Sequence, residues 1–265
     1  MPAAPPPAAL VRAEFAGHVA TIVLSRPDKR NALTDAMLDQ CLAALDRVEA
    51  NDEVRVTIVR GEGVSFCSGV DLGEKLARRG TEGAVEFTRL IEVFERLDRH
   101  HHPTIAVLQG TSLAGGWELA LHCDIRFTAP DARFGMPLAR LGLVVPYAAA
   151  ARLVHLAGLA AATDLLLSAE LIDGVRANAL GLATHLVDAA SLVAAAAEAH
   201  AVKIAALAPL AVREMKRLLR YVAPMPDPAT YAAFDQARRD VTRSADTEEG
   251  LRAFLERRPP HFTGR

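Results

Sequence analysis

An α/β core followed by a helical C-terminal region is the fold this sequence predicts, on three observations. Short β-rich runs alternate with stretches of helical period through the first half of the chain. Two glycine corners, "SGVD" at 68–71 and "LAGGWE" at 113–118, each join a strand-like run to a helix-like one. From about residue 149 to 257 the chain is almost entirely helical in character.

The elements follow in order. Residues 9–15 and 18–25 are β-rich runs joined through Ala16-Gly17, which predicts a hairpin. After the loop "RPDKRNALT", Thr34 is placed to cap a helix whose apolar residues Met37, Leu38, Cys41, Leu42, Leu45 and Val48 recur at helical spacing. "VRVTIVRG" (54–61) is a strand closed by glycine, and a polar helix is expected near 72–79 after the first corner. A helix over 83–100, a buried strand over 103–110 and a helix over 115–123 come next. "DIRFTA" and "ARFGM" are short strands around an "APD" turn, and beyond them only "LATHLV" (182–187) reads as extended. No internal repeat of domain-building length is visible.

With 265 residues, 51% of them hydrophobic, the chain can build one large core or a core with a small appendage. Its 30 basic and 32 acidic residues are interspersed, with a formal net charge of -2, so no electrostatic footprint for nucleic acid exists and any anionic ligand must be met by local groups. Cys41, Cys67 and Cys123 show no C-x-x-C spacing and sit in apolar surroundings, which fits reduced thiols and a cytoplasmic location. The opening "MPAAPPPAAL" lacks both the basic and the apolar region of a signal peptide, and residues 1–8 read as a disordered tail. The most apolar stretch, from Ser191 to Val212, is interrupted by Glu198, His200 and Lys203, so no membrane span is expected.

The two corners suggest one chemical task. Backbone N–H groups at a helix start lack intrahelical partners and favour a negative oxygen. Glycine there admits unusual backbone angles and leaves room for a ligand. If Val70 N–H and Gly115 N–H converge, they form a two-donor oxyanion hole. The bland reading of the first corner is that Asp71 and Glu74 form a capping box that simply starts a helix. Cys67, beside it, reads as a small buried hydrophobe in preference to a nucleophile.

Taken together, "TIVLSRPDKRNALT", "FCSGVDL", "AGGWELALHCDIRF" and the closing "FLERRPPHFTGR" resemble, in order and over residues 10 to 265, the crotonase superfamily of enoyl-CoA hydratases and isomerases. The resemblance implies an α/β fold with a ββα spiral core over 9–200, a C-terminal helical trimerisation region over 201–265, and a homotrimer or homohexamer. It implies an acyl-CoA thioester as substrate, coenzyme A being part of that substrate rather than a separate cofactor. By motif position the oxyanion donors are Val70 and Gly115, and Glu118 is the acid/base group. Ser68, Gly69, Asp71 and Leu72 fall on the coenzyme A path, with Arg30 and Ala32 of "KRNAL" on its adenine and pantetheine side. Arg257 and Arg258 are candidates for a neighbouring subunit's phosphates.

One position departs from the pattern. Hydratases of this superfamily carry a second glutamate after the proline of the motif that reads "FGMPLARLGL" here, and this chain has Leu138. Leucine neither donates nor accepts a proton. Hydratase/isomerase chemistry therefore stands beside two alternatives: decarboxylation of a malonyl-type acyl-CoA, for which Leu138, Val144 and Val145 would form an apolar wall, and non-catalytic acyl-CoA binding. The "HHH" at 100–102 lacks a partner carboxylate or thiolate at metal-binding spacing and is expected to serve as a cationic helix end. The "HCD" at 122–124 reads as a structural junction.

Overall fold

The computed structural model describes residues 9–82, 87–222 and 228–264. The N-terminal tail expected over 1–8 and the first four residues of the helix expected over 83–100 lie outside them.

β1 (Val11–Ala16) and β2 (Val19–Leu24) pair antiparallel. The turn between them is Gly17-His18, one residue later than expected, because Ala16 still pairs with Val19 and Gly17 supplies the positive φ of +56°. A 3-10 turn over Pro27–Lys29 leads to α1 (Asp35–Glu49), where the Thr34 hydroxyl accepts from Met37 N–H at 3.2 Å as its spacing predicts. β3 (Val56–Gly61), α2 (Leu72–Glu82), α3 (Thr88–Arg99) and β4 (Thr104–Leu108) follow. Then come β5 (Thr111–Leu113), α4 (Gly115–Leu121), β6 (Ile125–Thr128), β7 (Arg133–Gly135) and a second 3-10 turn, Pro137–Leu141. The remainder is α5 (Tyr147–Ser168), β8 (Leu171–Asp173), α6 (Gly174–Ala179), β9 (His185–Leu186), α7 (Ala190–Ala205), α8 (Pro209–Val222), α9 (Pro228–Thr242) and α10 (Ala245–Glu256).

Two mixed sheets result, as an α/β fold with C-terminal helices. The larger has strand order β1-β2-β3-β4-β6-β9 and is parallel from β2 onward. The smaller, β5-β7-β8, pairs β5 with β7 parallel and β7 with β8 antiparallel. Each time the chain leaves the larger sheet through β4 or β6 it adds a strand, β5 or β7, to the smaller. β5 and β8 carry no strand signal of their own in the sequence, since a three-residue run shows no alternation and neither is marked off by a turn as β7 is by "APD". The extended stretch expected over 182–187 shrinks to the two residues of β9.

The larger sheet is covered on both faces, which explains its near-continuous apolar strands. On one face α7 lays Val193, Ala197, Ala201 and Ala205 against Val56, Ile58, Ile105, Val107 and Phe127. These are i, i+4 positions, and three alanines let the helix approach closely. The other face carries the main core, in which Met37, Leu38, Leu45, Phe66, Leu108, Trp117 and Phe134 are fully or almost fully buried. α7 spans residue 200, so it belongs both to the sheet and to the start of the helical region. At the end of the chain α10 folds back onto the second 3-10 turn: Thr247 Oγ1 donates to Gly142 O at 2.5 Å, and Leu251 packs with Leu141 and Leu143.

Candidate active site

The two corners interlock. Cys67 N–H donates to Thr111 O at 3.1 Å and Leu113 N–H to Cys67 O at 3.0 Å, which ties the segment after β3 to β5. The chain then turns at Gly69 (φ +97°), where an added Cβ would stand 3.0 Å from Leu113 O. Gly116 has the sharper requirement, since a Cβ there would lie 2.3 Å from Cys67 O. Ala114, at φ 47° and ψ -125°, occupies a backbone region that costs a non-glycine residue about 1–3 kcal/mol. It is held there by Ala114 N–H donating to Gly135 O at 2.9 Å, and by its carbonyl accepting from Glu118 N–H at 2.9 Å.

This geometry puts Val70 and Gly115 side by side; a Cβ on Gly115 would come 3.5 Å from Val70 Cγ2. Neither residue's N–H meets an acceptor among the described residues. Both line a cavity of about 120 Å³, together with Ser68, Leu72, Leu90, Leu138, Val144 and Phe254. Among the described residues the cavity wall is almost wholly apolar, and its charged members are Glu118 and Arg238.

Glu118 lies in the first turn of α4 and is 2% exposed. Its Oε1 has no hydrogen-bond partner. Burial pushes the carboxyl up to about 7, against the pull of the Arg238 charge. A buried group that exchanges a proton near neutrality, beside two unsatisfied N–H donors, can move a proton on a ligand whose negative oxygen those donors hold. Leu138 lines the same cavity, and among the described residues no second carboxylate joins Glu118 there.

Of the expected binding residues, Ser68 and Leu72 line the cavity. Arg30 and Ala32 lie in the adjoining loop: Arg30 O accepts from Ser68 N–H at 3.0 Å, and Ala32 O from Arg26 at 3.1 Å. Asp71 caps α2, its Oδ1 accepting from Gly73 and Glu74 N–H, while its Oδ2 accepts from Arg26 at 2.7 Å. Burial raises the Asp71 carboxyl, but Arg26 and the capping N–H groups outweigh it and hold the pKa below its usual value. The reciprocal half of the expected capping box is absent: Asp71 N–H donates to Leu33 O, and Glu74 reaches across to accept from Asp35 N–H at 3.2 Å. Glu74 therefore serves the start of α1.

Cys67 is a packing residue. Burial raises its thiol to about 12, and the S–H donates to Asn31 O at 3.1 Å. Nothing in the sequence marks Asn31, yet its amide donates to Glu62 O, Ser65 O and Phe66 O while its Oδ1 accepts from Arg26 N–H. It pins the loop that carries Arg30 and Ala32 to the approach of the first corner. Arg238 and Phe254 were missed as well, because nothing in a C-terminal amphipathic helix marks which residue will return to a distant cavity.

The histidines correct an expectation. His100 is buried, with Nδ1 3.1 Å from Glu49 Oε1 and Nε2 2.9 Å from Thr57 Oγ1. Burial pushes its pKa down to about 4, so it is neutral near pH 7 rather than a cationic helix end. His102 is lowered to about 3, again chiefly by burial. None of the three lines the cavity, and among the described residues no cluster able to hold a metal is found. Arg258 is engaged by Glu249 and Glu256 of its own chain, so a carboxylate pair already occupies the group considered for a neighbour's phosphates.

The two sheets and the C-terminal helices define a fold of the crotonase kind. Residues 14–265 match the family model described as "Enoyl-CoA hydratase/isomerase". The chain is 34% identical over 249 residues to a putative enoyl-CoA hydratase of Thermus thermophilus, covering 93% of this chain and 98% of that one. It is 34% identical over 251 residues to the 2,3-dehydroadipyl-CoA hydratase of Escherichia coli, covering 94% and 96%. Among solved structures, a methylmalonyl-CoA decarboxylase in complex with 2-nitronate-propionyl-CoA superposes with a TM-score of 0.86 at 26% identity, over 97% of this chain and 99% of that one. The chain belongs to the enoyl-CoA hydratase/isomerase family, and is an acyl-CoA enzyme of that family.

Proposed function

We propose that this enzyme moves a proton at the α-carbon of an acyl-CoA through an enolate held by Val70 and Gly115 N–H, with Glu118 as its acid/base group. The observation that carries this reading is the buried Glu118 carboxyl, its Oε1 unpartnered and its pKa raised to about 7, in a cavity that Val70 and Gly115 also line. A thioester losing an α-proton places negative charge on its oxygen, and donors aimed at that charge lower the barrier selectively. Ser68, Gly69, Asp71 and Leu72, with Arg30 and Ala32 in the adjoining loop, are the coenzyme A side of the site. Water addition needs a further polar group to hold the water, and Leu138 supplies none, so double-bond isomerisation is the expected outcome, ahead of the hydration that the names of its relatives suggest.

Decarboxylation is the second reading, favoured by the hydrocarbon wall at Leu138 and Val144 and by the similarity to the methylmalonyl-CoA decarboxylase. Incubation with 3-enoyl-CoA, crotonyl-CoA and methylmalonyl-CoA, followed by mass and retention analysis, separates an isomer, a gain of water and a loss of carbon dioxide. The isomerase reading expects the first, abolished in Glu118→Gln to about 10²–10⁴ below wild type. Loss of carbon dioxide at a rate insensitive to that substitution supports the second.

The exposed Leu207, Leu210, Met215, Leu218 and Leu219 support the helical region from 201 to 265 as an oligomerisation surface in a homotrimer or homohexamer. Sedimentation velocity distinguishes these from a monomer.

A further inference from the structure

Among the described residues Arg238 is the one cation on the cavity wall. It is 7% exposed, and burying a guanidinium among leucines and phenylalanines is costly unless its donors are met. Its own helix meets them in part: Nε and Nη2 both donate to a single oxygen of Asp235, at 2.9 and 2.8 Å. The other Asp235 oxygen is taken by Arg239, so one carboxylate is divided between two arginines and the group keeps a net positive charge. Arg238 Nη1 donates to no described residue, and among the described residues Asp235 is the one carboxylate within ion-pair distance of Arg238. Glu118 feels its charge only at longer range. α9 is fixed at this spot by Phe234, one turn before Arg238, whose ring stacks on Tyr147 at 5.2 Å next to the cavity residues Val144 and Pro146.

We infer that Arg238 selects an acyl group bearing a carboxylate, which its free guanidinium edge receives at the cavity wall. A plain alkyl chain would press methylenes against a half-satisfied cation. A carboxylate supplies the missing acceptor and the missing charge together, in the planar geometry that guanidinium suits. The inference rests on the acyl-CoA reading of the cavity but not on which reaction follows.

Binding tests it without turnover. Calorimetry compares each of succinyl-, glutaryl-, adipyl- and pimelyl-CoA with the alkanoyl-CoA of matching carbon number. The best carboxylated ester is expected to bind about tenfold to a hundredfold more tightly than its match in the wild type. In Arg238→Met that ratio should fall to one or below while alkanoyl-CoA affinity is kept or improved, and Arg238→Lys should keep part of it. Circular dichroism and thermal melts establish that the variants fold. A wild type that binds every pair equally, or an Arg238→Met that weakens both members of the best pair alike, overturns the inference. If no coenzyme A ester binds at all, the acyl-CoA reading itself fails.

Discussion

Glu118, on α4, and Leu138, on the 3-10 turn after β7, line one cavity, so a carboxyl whose Oε1 has no hydrogen-bond partner faces a space that Leu138 fills with hydrocarbon. Replacing Leu138→Glu restores the missing group. Crotonyl-CoA hydration is then expected to rise by at least about tenfold, followed as the gain of one water by mass spectrometry. A variant that folds and hydrates no faster would show that Leu138 is not what limits water addition.

The raised Glu118 also makes a stability prediction. An unfolded glutamate titrates near 4.5 and the folded one at about 7, so between these values the native state holds more protons than the unfolded one. Stability contributed by the protonated form is complete below about pH 4.5 and is lost as the pH rises through 7. Glu118→Gln escapes that loss. It should be more stable than wild type by up to about 3 kcal/mol at pH 8, with the gap closing toward pH 4.5 in urea titrations.

His100 and His102 act in the opposite direction. Their folded values, about 4 and 3, lie below the unfolded 6.5, so the unfolded chain binds more protons and stability drops as pH falls from 6.5 toward 4. His102→Leu, which also removes an unpartnered buried Nδ1, is expected to flatten this acid limb. Urea midpoints of variant and wild type that fall in parallel between pH 6.5 and 4 would refute the assignment.

Gly115 and Gly116 should separate chemistry from packing. Gly115→Ala keeps its N–H and brings its Cβ 3.2 Å from Leu90 Cδ2, the movable end of a side chain, so it should fold and turn over. Gly115→Pro deletes the donor, and a loss of about 10²–10³ in kcat is expected. Gly116→Ala drives a Cβ against the Cys67 carbonyl at 2.3 Å and should cost about 1–3 kcal/mol in stability. Equal kinetic losses in all three would mean that the corner tolerates no change at all and would leave Gly115 without a special role.

Much of this was legible in local sequence because the physics is local. Thr34 three residues before Met37 is a cap wherever it occurs, and strand, glycine and helix in succession make a corner with free N–H groups. Glu74 shows the limit of local reading: its spacing from Asp71 is that of a capping box, but tertiary folding brings Asp35 N–H within its reach. The charge state of His100 depends on the burial that α8 and the sheet impose, which no run of three histidines reveals. Arg238 enters the cavity only because α9 and α10 fold back across it.

The interlock of Cys67 with β5 and Gly116 gives the molecule two kinds of surface around one void. The corner tolerates little substitution because its backbones touch directly. The opposite side is assembled from side chains on the Pro137–Leu141 turn, α9 and α10, each exchangeable by single residues. Such an architecture can change clientele by retailoring the lining while the interlocked corner stays untouched, and Leu138 and Arg238 are the two lining positions where such tailoring is proposed for this chain.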